Sequence, residues 1–286
     1  MPSTIDVIIP VWNRAHSVRQ AIDSVLAQKL PPDSALRVIV ADDGSTDDLA
    51  GALQRYDARV SRVRHDRNRG AAAARNTGIA AADGDLLAFL DSDDVWEPDK
   101  LVRQIAFMRK HGYAASCTAC HLVRAGQPGV VWPHYETGSL SRADLIWGCF
   151  VSPGTTMICE PRVFSEIGVF DTDFQRFEDW DWLLRFAVRY RLGYLAEPLA
   201  RREPSWFADA QQTLDALEKI DEKHYSALPG IARRHFRAAL ACEKSAAHYR
   251  QENWPAALGA LLRSFLMAPL AHAWLRALVA SRFQWH

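Results

Sequence analysis

Asp91, Ser92, Asp93 and Asp94 follow directly on the apolar run Leu86–Leu90. Three carboxylates within four residues repel one another, so packing does not account for them. A short apolar run without Gly or Pro reads as a buried strand, which puts the acids just past its carboxyl end. Grouped hard oxygens in that place suit a divalent cation that a phosphate can share. The plainer alternative is a solvated acidic turn. Two more polar clusters end apolar runs in the same manner: Pro10–Arg14 after Ile5–Ile9, and Asp42–Ser45 after Leu36–Ala41.

Helical patterns separate these runs. Val18, Ile22, Val25 and Leu26 share one helical face, and Pro31-Pro32 stops it. Ser45 with Asp48 has capping-box spacing for a second helix reaching about Tyr56. Val60 and Val63 mark a weaker strand, and the alanine-rich stretch 71–82 predicts a helix that lies close to a sheet. Strand and helix alternate with short links, which predicts an α/β fold with a mostly parallel sheet covered on both faces. In such a sheet the three polar strand ends converge on one crevice.

The second half is less regular. Pro98 opens a helix to about His111, Tyr113–Val123 reads as a strand, and Val130-Val131-Trp132 suits a hairpin. Ser141 and Asp144 have capping-box spacing, and Ser152–Thr156 is a small-residue loop. Pro161 opens a short helix that Gly168 ends. Glu178-Asp179-Trp180-Asp181-Trp182 begins a helix to about Arg191, and Tyr194–Ala200 is a further strand. From about Phe207 the pattern is helical only, with segments near 214–221, 231–249, 255–267 and 270–283; 207–286 reads as a helical appendage. Its last part mixes Arg263, Arg276 and Arg282 with Leu, Phe and Trp. Packing on neighbouring helices or on a second subunit is the preferred reading of that face, and contact with a membrane surface is the alternative.

The 286 residues carry 34 basic and 34 acidic side chains, so no global field recruits nucleic acid. Neither an export signal nor an apolar run of spanning length is visible, which leads to an expectation of a cytoplasmic protein, peripheral at the inner membrane face at most. Five cysteines, an odd number, argue against a disulfide framework. Cys117-x-x-Cys120-His121 spells a haem-attachment pattern, but it lies inside an apolar strand-like run without a second cysteine pair, and buried structural thiols are expected there.

Five blocks in order resemble a known family: Val7-Ile-Ile-Pro10-Val-Trp-Asn13-Arg14, Val40-Ala-Asp42-Asp43-Gly-Ser45, Asn68-Arg-Gly70 through Arg75-Asn76-Thr-Gly78, Leu90-Asp91-Ser92-Asp93-Asp94, and Glu178-Asp179-Trp180-Asp181. The series is similar to the family-2 inverting glycosyltransferases with the GT-A fold and a D-x-D motif, over about residues 5–206. The resemblance implies a donor-binding half (1–97), an acceptor half (98–206), a nucleotide-sugar donor, UDP-linked by default, and Mn2+ or Mg2+. It places Pro10, Asn13, Arg14, Asp42, Arg75, Asp91, Ser92 and Asp93 around the nucleotide. Asp42 would bond the base, Arg75 would approach base or diphosphate, and Asp91 and Asp93 would hold the metal. Asp179 would be the catalytic base. That chemistry is coherent: a sugar hydroxyl is a poor nucleophile until a carboxylate takes its proton, and one base opposite the leaving group gives inversion. The implied acceptor is a glycan or a lipid-linked intermediate in surface-polysaccharide synthesis. Asp43 and Asp94 read as turn-formers, Asp181 as a complement to its helix dipole, and Trp180 as packing rather than sugar stacking.

This chain departs from the family in two places. The loop 201–206 has no histidine to complete a metal shell, leaving Glu203, water or the diphosphate. It also lacks the Q-x-x-R-W of processive enzymes, which favours single addition. Two other functions compete. A haloacid-dehalogenase-type phosphatase would use Asp91 and Asp93, and a non-catalytic nucleotide-sugar-binding scaffold would use the helical tail as its interaction module.

Overall fold

The computed structural model describes residues 3–124, 127–133, 135–202 and 209–269. The expected helix near 270–283, with Arg276 and Arg282, and the loop residues Glu203 and Trp206 lie outside them. The chain divides into two compact units. The first comprises Met1–Leu140, Phe150–Asp173 and Arg185–Pro204; the second comprises Ser141–Cys149, Phe174–Leu184 and Ser205–His286.

The first unit opens with β1 (Thr4–Val11), α1 (Val18–Leu26), β2 (Ala35–Asp42), α2 (Leu49–Leu53), β3 (Val60–Arg64), α3 (Ala71–Ala81) and β4 (Leu86–Phe89). β5 (Val95–Trp96), α4 (Lys100–His111), β6 (Ala115–Arg124), β7 (Gln127–Trp132) and β8 (Gly138–Leu140) follow. After α5 (Arg142–Leu145), which belongs to the second unit, come α6 (Pro153–Thr156), β9 (Ile158–Cys159) and α7 (Arg162–Ile167). α8 (Glu178–Phe186) precedes the last strand, β10 (Leu192–Arg202). The sheet order is β3-β2-β1-β4-β9-β6-β10-β5, with β7 on β6 and β8 on β10.

β1 to β4 are mutually parallel, as alternation demands. Alternate β1 residues Ile5, Val7, Ile9 and Val11 form one core with Val18, Ile22 and Val25 of α1 and Leu101, Ile105 and Met108 of α4. On Ile8 lies Gly78 of α3, where a Cβ would come within 2.4 Å of the isoleucine methyl. The bare backbone at 78 is what lets α3 sit flush on the sheet. Phe89 packs edge to face on Phe164 and Phe170, which are tilted against each other, with centroids 5.8–6.0 Å apart.

Several boundaries differ from the sequence reading. α4 starts at Lys100 with Asp99 as N-cap, so Pro98 lies in the preceding turn. α2 is capped by Asp48, which accepts from the Gly51 N–H at 2.9 Å; the Ser45 hydroxyl is taken by the Asn13 N–H instead. α8 stops at Phe186, not Arg191, because β10 already begins at Leu192. β10 runs through Pro198, where its pairing with β6 shifts register. None of the five cysteines is in a disulfide, and Cys117 and Cys120 are buried strand residues. The box at Ser141 and Asp144 forms as the spacing predicts.

The second unit contains α5, most of α8, α9 (Ala210–His224), α10 (Gly230–Arg250) and α11 (Trp254–Met267). Its core joins Ile146, Phe174, Trp180 and Leu184 to Leu217, Ile220, Phe236 and Leu240. Asp209 caps α9 by accepting from the Gln211 and Gln212 N–H groups. No helix among the described residues is long and apolar enough to cross a membrane.

Candidate active site

β2 and β4 flank β1, so the strand order reverses direction at β1/β4. Ligands in open α/β sheets bind outside the strand carboxyl ends at such a point. The structure puts Arg14 after β1 and Asp91–Asp94 after β4 there. Arg14 Nη1 pairs with Asp93, both half exposed. Arg75 of α3, almost wholly buried, donates from Nη2 to Asp91 Oδ1 at 2.8 Å. Ser92 between the two acids is buried. The small-residue loop lies directly against them: a Cβ on Gly154 would be 2.7 Å from Arg75 Nη2 and 3.0 Å from Asp91 Oδ2.

One strand over, Asp42 ends β2 with its carboxylate buried. Oδ1 accepts from the Ser45 N–H at 2.8 Å, and Oδ2 accepts from Arg62 Nε at 2.9 Å. Burial alone would raise its pKa, but the Ser45 and Arg62 bonds prevail and hold it below the usual carboxylate range. Asn13, with φ 52°, ties the loops after β1 and β2 together: its N–H donates to Ser45 Oγ at 3.0 Å and its Oδ1 accepts from the Thr46 N–H at 2.7 Å. Pro10 pairs with Ala41 in register beside this corner. Thus Pro10, Asn13 and Asp42 share one corner, and Arg14, Arg75, Asp91, Ser92 and Asp93 share the next, all in the first unit. Asp179 belongs to the second unit, in the first turn of α8, where its Oδ1 accepts from the Trp180 N–H at 2.7 Å.

Three acids do more than the sequence suggests. Asp43 is not a simple turn-former. It is buried, and its carboxylate accepts from the Arg69 N–H (2.8 Å), the Gly70 N–H (2.7 Å) and His65 Nδ1 (2.7 Å), while His65 Nε2 meets Thr77 Oγ1 at 2.7 Å. The polar loop 65–70 is thereby wrapped around one carboxylate, which fixes the start of α3 and hence Arg75. Asp94 is likewise buried, with Thr155 donating to it and Arg202 at 4.0 Å. Burial, then the neighbouring Asp91 charge, pushes its pKa up to about 8. Asp181 is wholly buried and held by Lys223 and His224 of α9, so it does not merely complement a dipole. Trp180 is packing: its ring is buried against Phe236 and its Nε1–H donates to the Leu145 carbonyl at 2.8 Å. No local pattern marks these acids as buried, because their partners come from distant segments.

Beneath the small-residue loop lies a buried polar group. Trp96 Nε1 donates to the Thr155 carbonyl (2.7 Å), and Lys100 Nζ donates to the Thr156 carbonyl (3.1 Å) from 4.4 Å above the Trp96 ring centroid. Burial lowers the Lys100 pKa to about 7.

Asp91 and Asp93 offer hard oxygens at an accessible edge, which fits Mg2+ or Mn2+. No third His, Cys, Asp or Glu joins them in a metal-binding group among the described residues. A magnesium-like ion is held by one or two carboxylates together with substrate phosphates and water, so two acids fit that habit.

The fold is similar to that of solved structures. TarS of S. aureus in complex with UDP-GlcNAc superposes with a TM-score of 0.68 at 19% identity, over 91% of this chain and 81% of that one. The mannosyltransferase PcManGT of Pyrobaculum calidifontis, in complex with GDP-Man and Mn2+, gives 0.62 at 20% identity, over 99% and 80%. The fold is therefore GT-A. The family model for glycosyl transferase family 2 matches residues 6–164, more than half the chain, and the chain belongs to that family. An uncharacterized glycosyltransferase of Rickettsia conorii is 42% identical over 121 residues, 42% of this chain and 19% of the relative's length. The E. coli UDP-Glc:alpha-D-GlcNAc-diphosphoundecaprenol beta-1,3-glucosyltransferase WfgD is 37% identical over 108 residues, 37% of this chain and 42% of that one. The chain spans less than a third of the length of its relatives from Rickettsia conorii, Rickettsia felis and Rickettsia bellii.

Proposed function

We propose that this chain transfers a sugar from a nucleoside-diphospho-sugar, UDP-linked by preference, to a hydroxyl of a surface-glycan or lipid-linked acceptor at the cytoplasmic membrane face. The observation that carries this is the meeting of Arg14–Asp93 and Arg75–Asp91 at the β1/β4 reversal, within a family-2 chain. The complexes of TarS with UDP-GlcNAc and the UDP-Glc and undecaprenol diphosphate in WfgD's name support the donor and acceptor classes.

In this reading residues 1–206 do the chemistry and 207–286 supply an interaction surface. Pro10, Asn13 and Asp42 line the nucleoside. Arg75 and Arg14 turn from their carboxylates toward the diphosphate, which guanidinium groups recognise well. Asp93 and Asp91 would hold Mn2+ or Mg2+, whose charge offsets that growing on the leaving diphosphate. Asp179 takes the proton of the acceptor hydroxyl as it attacks the anomeric carbon from the opposite face, giving inversion. A phosphatase use of Asp91 and Asp93 gains nothing from a family match that spans their block.

Thermal melting with Mn2+ against UDP, GDP, dTDP and CDP tests the donor class. UDP is expected to raise the midpoint by mass action, most strongly with metal present. Absence of any shift with every nucleotide overturns the proposal.

A further inference from the structure

Asp179 is followed by two residues that have no freedom. Trp180 is fully buried and bonded through Nε1, and Asp181 is fully buried and bonded through Oδ1 to Lys223 Nζ at 2.9 Å and to His224 Nε2 at 2.8 Å. The residue before the helix, Phe177, holds φ 63°, a left-handed conformation that is strained for an aromatic side chain. Its carbonyl accepts from the Asp181 N–H at 2.9 Å. Non-glycine residues in this region cost free energy and persist only where surroundings over-determine them.

A cheaper helix start would serve if α8 only had to pack. The sequence instead spends a strained aromatic, a buried tryptophan and a buried ion pair within five residues. All of them act on the backbone of one carboxylate that the first turn leaves accessible.

We infer that Asp181 and His224 are positioning residues for Asp179, with Lys223 neutralising the buried charge. This rests on the reading of Asp179 as the base. Through the Asp181 Oδ1–His224 Nε2 bond, α9 fixes the first turn of α8, and with it the direction in which the Asp179 carboxylate points. A misplacement of about 1 Å at a reacting group can cost on the order of 100-fold in rate, so slackening this anchor is read in turnover rather than in nucleotide affinity.

The experiment uses the full chain, with UDP release from UDP-GlcNAc and UDP-Glc in Mn2+ as the activity and UDP affinity by calorimetry. The variants are Asp179→Asn, Asp181→Asn, His224→Phe and His224→Gln. The expected result is loss of turnover in Asp179→Asn. Asp181→Asn and His224→Phe should lower kcat by about tenfold with the UDP Kd within twofold of wild type. His224→Gln, whose side-chain N–H can still reach Asp181, should recover most of that loss. Should Asp181→Asn fail to fold, the Phe and Gln variants at 224 decide the matter. If Asp179→Asn is inactive while His224→Phe and His224→Gln turn over alike, the inference is wrong and the base assignment stands. If Asp179→Asn matches wild type, or wild type releases no UDP from either donor, the base assignment itself fails and the inference falls with it.

Discussion

The two ends of β1 carry the same chemistry for different purposes. At its amino end Asp6 is wholly buried and accepts from Arg37 Nε (2.7 Å), Arg37 Nη2 (2.8 Å), the Asp83 N–H (3.0 Å) and the Gly84 N–H (2.8 Å). At the carboxyl end Asp93 also meets an arginine, but 38% of its side chain faces solvent. Asp6 is saturated by groups the fold supplies, so it is a structural tie. Asp93 pairs with Arg14 at an open edge, and in the proposed reading it exchanges that partner for a cation or a phosphate-bound ligand. In that reading exposure, not residue type, separates a strut from a working group.

Four variants would break or sharpen that contrast. The largest effect is expected for Asp93→Ala, with UDP-sugar turnover down about 1,000-fold, roughly 4 kcal/mol of lost transition-state stabilisation. Its melting midpoint should change little. Asp6→Ala should do the reverse. It orphans two backbone N–H groups and removes the buried partner of half-exposed Arg37, costing about 3 kcal/mol in denaturant titration. Turnover per folded molecule at low temperature should be kept. Were Asp6→Ala to lose activity while folded, the division of labour along β1 would be wrong.

The third concerns the buried lysine under the site. Lys100 titrates near 7 when folded and near its ordinary value when unfolded. Between about pH 7 and 10 the unfolded chain therefore binds a proton that the native protein does not. Wild-type stability should rise across that window, by on the order of 3 kcal/mol. Lys100→Met should lack the rise, as urea unfolding at pH 7 and pH 9.5 would reveal. The smallest effect is Arg14→Ala. With both partners of the Arg14–Asp93 pair half exposed, stability should shift by less than about 1 kcal/mol, measured by the same unfolding curves.

The first ninety residues are the legible part of this chain. Their apolar runs are long enough to show the strand period, and Asp42 and Asp91–Asp94 fall where those runs stop. The roles of single acids are less visible. Asp43, Asp94 and Asp181 each stand one or two places from another aspartate, and only His65, Thr155 and His224, 22, 61 and 43 residues away, decide how they are bonded. β5, two residues long, gives no period at all. The segments 141–149 and 174–184 cluster with helices that begin some 30 or more residues later, a pairing that rests on Trp180 and Ile146 meeting Phe236 and Leu217 rather than on local pattern. The capping-box spacing was informative at Ser141, whose side chain bonds its own helix turn. At Ser45 the same spacing misled, because the Asn13 N–H had claimed the hydroxyl.

Position 154 has a practical meaning for anyone randomising this protein. A Cβ here would press on the outer ends of the Arg75 and Asp91 side chains, so any larger residue displaces that pair. A saturation library should enrich glycine at 154 under selection for turnover, with alanine depleted. Efforts to alter donor choice would do better to leave that codon untouched.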